Sequence, residues 1–184
     1  MSRSKGRLLG FTLVMGFIIT VIVSYIMFRQ SAEWDMIQMD HGEKYPLFWS
    51  LEEQHALDDI RLIELDERGF ERIDVRITDF YYLPKVNRIH FGLWYDAEKY
   101  DHEDIPLGVF EHVFIDDQGN QYEDMSFSIG PHSFYGQFHR RSTSGINIDD
   151  IQELYLYIYP IKNDQRLEPA KALIYSKDEA LEKV

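Results

Sequence analysis

Carboxylates gather at two places in this chain. Residues 115–122, IDDQGNQY, set Asp116, Asp117 and Asn120 around Gly119, with Glu123 and Asp124 just beyond. Residues 100–106, YDHEDIP, group Asp101, His102, Glu103 and Asp104, and Glu111 and His112 follow. Oxygen ligands of the first kind suit calcium, and the mixed nitrogen and oxygen set of the second suits a divalent cation. The spacing argues against a dedicated calcium loop. An EF-hand needs Asp-x-Asp-x-Asp-Gly and a glutamate six residues after the glycine. Here the residue at that distance from Gly119 is Met125. The same residues are turn formers, and glycine can take the positive φ that a hairpin turn requires. The expectation is a structural turn at Gly119 and no cofactor. Asp116, Asp117, Asn120, Asp101, His102 and Asp104 stand as the candidate metal ligands, with calcium as the candidate ion.

Other chemistry is scarce. The chain has no Gly-x-Ser-x-Gly, no His-Glu-x-x-His, no Gly-x-Gly-x-x-Gly and no phosphate-binding loop. His132 and Ser133 are adjacent, so on a strand they point to opposite faces and cannot act as base and nucleophile. His90, His112 and His139 fall on strand-like stretches, where a space-filling histidine with one hydrogen bond is the ordinary outcome. No catalytic residue is expected, and the chain is not read as an enzyme. Residues 153–160, ELYLYIYP, offer something else. Leu154, Leu156 and Ile158 would face a core, leaving Tyr155, Tyr157 and Tyr159 on the other face. Exposed aromatic rings favour protein contacts, so these three are the candidate partner-binding residues. The competing arrangement covers them with a neighbouring strand or with the 162–169 loop.

Position in the cell follows from the other end. Residues 8–28, LLGFTLVMGFIITVIVSYIMF, contain no charge, and as a helix they would reach ~31 Å, one bilayer core. Arg3, Lys5 and Arg7 precede the run and favour a cytoplasmic N-terminus. A cleaved signal would have a shorter apolar run and small residues at the cleavage site, so an uncleaved anchor is expected. A cleaved, secreted domain is the alternative. Residues 1–7 are then a short basic cytoplasmic end, 8–28 the transmembrane helix and 29–57 a juxtamembrane segment. Residues 30–184 carry 15 basic and 32 acidic residues, a net −17. Such a surface repels nucleic acid. With no cysteine, the exported part has neither disulfides nor thiolate zinc sites. It is long enough to bury a core without them.

Period-two alternation dominates residues 58–176. Ile73, Val75 and Ile77 alternate with charged residues, as do Ile89, Phe91, Leu93 and Tyr95 with polar ones. Pro84 marks the turn between them. Leu107, Val109, Val113 and Ile115 are expected to share a core face, with a return strand over 121–126. Gly130-Pro131 reads as a break. Further strands are expected at 60–65, 134–138, 153–160 and around 172–176. About seven to eight strands with turns between them predict an all-β, immunoglobulin-like β-sandwich after one transmembrane helix. Residues 177–184 read as a charged tail.

The stretch RIDVRITDFYYLPKVNRIHFGLWYD (72–96), then VFIDDQGNQY (113–122), Phe134-Tyr-Gly-Gln-Phe138 and LYLYIYPI (154–161) also carry a resemblance. Their order resembles the immunoglobulin-like ectodomain beside the single transmembrane helix of uncharacterised anti-sigma-factor-like membrane proteins of Gram-positive bacteria. It covers roughly residues 58–162. The chain departs from that pattern where a sigma-binding segment would precede the helix. The resemblance therefore implies a fold and a location rather than an anti-sigma activity.

The expected protein is a single-pass anchor in the bacterial plasma membrane, N-terminus inside. Its extracytoplasmic domain binds an envelope protein or senses the envelope without catalysis. A cation-dependent binder or an enzyme built on the acidic loops is the alternative.

Overall fold

The computed structural model describes residues 2–30, 34, 36–37, 59–65, 67–70, 72–96, 110–123, 125–132 and 136–178. Helix α1 runs Ser2–Arg29, 28 residues. Its segment Gly10–Arg29 is long and apolar enough to cross a membrane. Phe11, Phe17, Ile22 and Tyr25 are all exposed. At its end the Trp34 ring meets Phe28 edge-on at 5.4 Å, and the Arg29 guanidinium lies 4.7 Å from the Trp34 centroid. Met36 is buried against Tyr81 and Phe138.

Beyond α1 the described chain is built mainly of strands, and every strand pairing is antiparallel. The first sheet contains β1 (Arg61–Ile63), β2 (Val75–Ile77), β3 (Phe80–Leu83), β4 (Arg88–Tyr95), β7 (Met125–His132) and β8 (Gln137–Ser144). Its order is β1-β3-β4-β8-β7, and β2 also pairs with β4. The second sheet contains β5 (Phe110–Asp116), β6 (Gln121–Tyr122), β9 (Glu153–Lys162), β10 (Gln165–Arg166) and β11 (Ala170–Ser176). Its order is β10-β9-β5-β6, with β11 beside β10 along the same flank of β9.

The two sheets share one core. Phe80 and Phe91 of the first sheet meet at 4.9 Å, and Phe114 of the second meets them at 6.0 and 5.9 Å. Tyr95 and Phe110 make the same cross-sheet contact at 5.0 Å. Leu154, Leu156 and Ile158 complete the cluster. Burying large aromatic side chains from both sheets is the main source of stability here, because no disulfide contributes.

Several boundaries differ from the sequence reading, each for a physical reason. The strand expected through Ile73–Ile77 continues past an interruption at Thr78-Asp79 as β3, and both pieces pair with β4. At the interruption the Thr78 side chain replaces the lost ladder contact: Gly92 N–H donates to Thr78 Oγ1 at 2.7 Å. The return strand expected over 121–126 is divided. Gln121 and Tyr122 pair with β5 in the second sheet, whereas Met125 onward pairs with β8 in the first. Gly130-Pro131 does not end a strand. It lies inside β7, where the register shifts between Ile129 and His132. β7 is a sheet edge, where a proline's missing N–H costs nothing.

β5 carries the other correction. Val113 and Ile115 were expected on the core face, but Phe110, His112, Phe114 and Asp116 lie opposite the core-facing register of β9. A shift of one residue inverts a strand's faces, and the larger rings at 110 and 114 bury more area than Val113 and Ile115 would. β10 was read as part of a loop. The Asn163-Asp164 pair, with φ 50° and 57°, makes the two-residue hairpin turn that forms it. These splits and the extra hairpin give eleven strand segments among the described residues.

Candidate functional site

Two surfaces and one buried cluster hold the residues with chemical capacity. The first surface is the acidic turn between β5 and β6. Gly119 has φ +85°, and a Cβ there would meet no atom within 4 Å. Its N–H donates to Asp116 O at 3.1 Å, and Asp116 N–H donates to Asn120 O at 3.2 Å. The Asp116 carboxylate takes four hydrogen bonds. Oδ1 accepts from Gln118 N at 2.9 Å and Asn120 N at 2.8 Å; Oδ2 accepts from Asn120 Nδ2 at 2.8 Å and Tyr122 OH at 2.9 Å. Burial alone would raise its pKa, but bonds from the Asn120 side chain and backbone, Tyr122 and Gln118 outweigh that and hold it below the ordinary value. The same contact works the other way on Tyr122. Burial first, and the bond to Asp116 second, push its hydroxyl up to about 12.

Asp117 is also used inside the fold: Oδ1 accepts from Gln152 N at 2.9 Å and Glu153 N at 3.3 Å, and its N–H donates to Glu153 O at 3.0 Å. A carboxylate offers about four lone-pair sites, so Asp116 has none to spare for an ion without giving up a turn contact. Among the described residues no three histidine or carboxylate side chains come together as metal ligands. Asp101, His102 and Asp104 lie outside the described residues.

Since space is open at Gly119, any penalty there is conformational. Gly119→Val is expected to lower stability by about 1–3 kcal/mol, because a β-branched residue resists positive φ. Equal urea midpoints for the two proteins would dismiss a special backbone role.

The second surface is the outer face of the second sheet. Tyr155, Tyr157 and Tyr159 lie there, each half-buried. On one side they are flanked in register by Ile115, Val113 and Glu111 of β5. On the other, Leu173 lies opposite Tyr155 and Lys171 opposite Tyr157. Cations cover part of the rings. Lys171 Nζ is 3.6 Å from the Tyr155 centroid and 5.5 Å from that of Tyr157; the Arg166 guanidinium is 5.0 Å from Tyr159. Arg166 also donates to Glu111 Oε2 at 2.6 Å and Glu123 Oε1 at 3.3 Å. The Tyr155 hydroxyl donates to Glu153 Oε2 at 2.5 Å, which raises its pKa. The result is an amphipathic patch: apolar side chains and aromatic edges between fixed charges, with phenol oxygens at its rim.

The buried cluster was not anticipated. The polar run Arg140–Ser144 shows no apolar alternation, yet it completes β8 between β4 and β7. Arg141, Ser142 and Thr143 are all buried. Arg141 Nη2 donates to Phe110 O at 3.0 Å and to His139 Nδ1 at 3.0 Å. Because arginine can only donate, His139 Nδ1 is the acceptor and Nε2 carries the proton, facing the Tyr95 hydroxyl at 3.4 Å. His112 Nε2 bonds Thr143 Oγ1 at 2.8 Å, while its Nδ1 has no hydrogen-bond partner among the described residues. Burial, then the Arg141 charge, push His112 down to about 3. Burial also brings Arg141 down to about 10 and lifts Tyr95 to about 12. The cluster is sealed between the sheets. It can respond to protons but offers no opening to a substrate. The one legible signal was the alternation His139, Arg141, Thr143 continuing from Gln137.

No protein-family model matches this chain, and neither the curated proteins nor the solved structures contain a significant match to it.

Proposed function

We propose that the protein is a membrane-anchored binding or sensing module of the bacterial cell envelope, acting without catalysis. In this reading α1 crosses the plasma membrane with its basic end inside. The two sheets form an immunoglobulin-like β-sandwich outside, as the resemblance to ectodomains of anti-sigma-factor-like membrane proteins implies. The observation that carries the proposal is the outer face of the second sheet. Tyr155, Tyr157 and Tyr159 remain partly exposed there after Leu154, Leu156 and Ile158 have filled the core. Aromatic rings with apolar neighbours and hydrogen-bonding rims dominate the energetics of protein contacts. The anchor would keep this face near the membrane and raise its local concentration toward an envelope protein.

The paired change Tyr155→Ser and Tyr157→Thr tests the reading. The variant is expected to lower stability by less than about 1 kcal/mol, since the rings are not in the shared core. It should lose most cross-linked envelope protein when full-length protein is captured from its own membranes. Unchanged cross-links with an intact fold would move the contact elsewhere. An unfolded variant would make these tyrosines structural. Recovery of the chain in the soluble fraction, shortened at its N-terminus, would instead support a cleaved and secreted domain.

A further inference from the structure

The outer face of the first sheet carries aromatic rings. Alternation puts Ile89, Phe91 and Leu93 of β4 into the shared core, so His90, Gly92 and Trp94 face the other way. On that face Tyr81 lies opposite His90, and Phe138 lies opposite Trp94. Two glycines make room for the rings. A Cβ at Gly92 would come within 2.5 Å of the Phe138 ring, and one at Gly136 within 2.5 Å of the Trp94 indole. Each ring therefore lies directly over a neighbouring backbone, and together they form an apolar seat.

Met36 occupies that seat. It is 5% exposed and packs with Tyr81 and Phe138, while Trp94 and Ile60 border the contact. An unbranched thioether side chain adapts well to aromatic surroundings. Met36 follows Arg29, the end of α1, by seven positions, a reach of at most ~25 Å. The near end of this connection is fastened as well. Trp34 meets Phe28 edge-on at 5.4 Å, and the Arg29 guanidinium is 4.7 Å from its ring centroid. The connection is thus held to the helix end at Trp34 and to the sheet at Met36. The closed seat has a cost. Trp94 Nε1 and Ser142 Oγ are buried on this face with no hydrogen-bond partner among the described residues. Burying a methionine is favourable and burying an unpaired polar atom is unfavourable, by comparable amounts. The two effects partly cancel, so little free energy separates the docked segment from a released one.

We propose that this connection is a strap that couples the position of α1 in the bilayer to the sandwich, with Met36 as the contact that releases under tension. The inference rests on the reading of α1 as a membrane anchor. When the helix end is drawn into the bilayer, Trp34 moves with it and Met36 is pulled from Tyr81 and Phe138. Water then reaches Trp94 Nε1 and Ser142 Oγ, which offsets part of the lost burial. Release uncovers the aromatic seat and frees the sandwich from its hold on the membrane end of α1.

Peroxide oxidation of Met36, read by peptide mass spectrometry on the full chain in vesicles, follows the contact without altering it beforehand. In dioleoylphosphatidylcholine vesicles Met36 is expected to oxidise at least ~10-fold more slowly than in the urea-unfolded chain. Dierucoylphosphatidylcholine makes a thicker bilayer that draws helix ends inward, so oxidation there should be at least ~3-fold faster than in the dioleoyl lipid. Ser142→Ala removes an unpaired hydroxyl from the closed seat and should slow oxidation at least ~3-fold in either lipid. Oxidation as fast as in urea would mean that Met36 is not docked and would overturn the proposal. Equal or slower oxidation in the thicker bilayer would overturn it too, as would indifference to Ser142→Ala. A chain that fails to float with the vesicles would overturn the anchor reading, and the strap with it, before any oxidation is measured.

Discussion

Replacing Phe91 by alanine is expected to remove about 3–5 kcal/mol of stability. Phe91 is fully buried and lies at the point where the sheets meet. Its ring is 4.9 Å from Phe80 on its own sheet, and 5.9 Å from Phe114 and 5.0 Å from His112 on the other. Alanine there would forfeit the transfer energy of the ring and leave a cavity walled by side chains from both sheets. They cannot collapse into it without moving the sheets together. A loss of that size is a large share of the ~5–15 kcal/mol that holds an ordinary domain folded. Urea titration of the full chain in detergent micelles measures it. Leu173→Ala, at a position 41% exposed on the outer face, serves as the reference and should change stability by no more than about 0.5 kcal/mol. Equal losses from the two changes would mean that the aromatic cluster is not the shared core.

Acid should destabilise the same core through His112. In the folded chain His112 is neutral down to about pH 3, first because burial disfavours its charge and second because Arg141 opposes it. In the unfolded chain it takes a proton near its ordinary value of about 6.5. Above that pH both states hold a neutral ring and nothing is lost. Below it the unfolded state binds one more proton than the folded state, so stability falls by about 1.4 kcal/mol per pH unit until the folded value is reached. Asp116 acts in the same direction at lower pH, since its depressed pKa gives stability that is lost as that carboxylate protonates. The histidine contribution is read where carboxylates interfere least. Between pH 6.5 and 5, His112→Gln should lose about 2 kcal/mol less stability than the unaltered chain. Glutamine can still bond Thr143, as the imidazole Nε2 does at 2.8 Å. Identical pH slopes for the two proteins would remove His112 as the sensing group.

The sequence by itself determined the local features. A run of uncharged residues as long as a bilayer is thick can only be an apolar helix, and α1 needs no tertiary partner to be recognised. The strict alternation in β9 was legible because a strand buried on one face must alternate at every second residue. The turn at Gly119 was legible because glycine, Asp and Asn act on their own neighbours.

What the tertiary structure decided was whatever depends on a partner distant in sequence. β5 alternates as well with either face inward; only the rings of Phe91 and the register with Leu156 choose Phe114 over Val113. The chain changes sheets between Tyr122 and Met125, with no local signal, because its two halves meet different strands. β8 ends in residues that favour solvent, and they are buried because Arg141 finds Phe110 O and His139, and Thr143 finds His112. The contact between the start of β11 and the chain that follows β1 is likewise made by a glutamate at 168 and an arginine at 72, 96 residues apart. Alternation and turn chemistry are properties of neighbours, and the sequence lists neighbours. Burial, register and satisfied polar groups are properties of pairs brought together by folding, and those were decided only when the two sheets closed on one another.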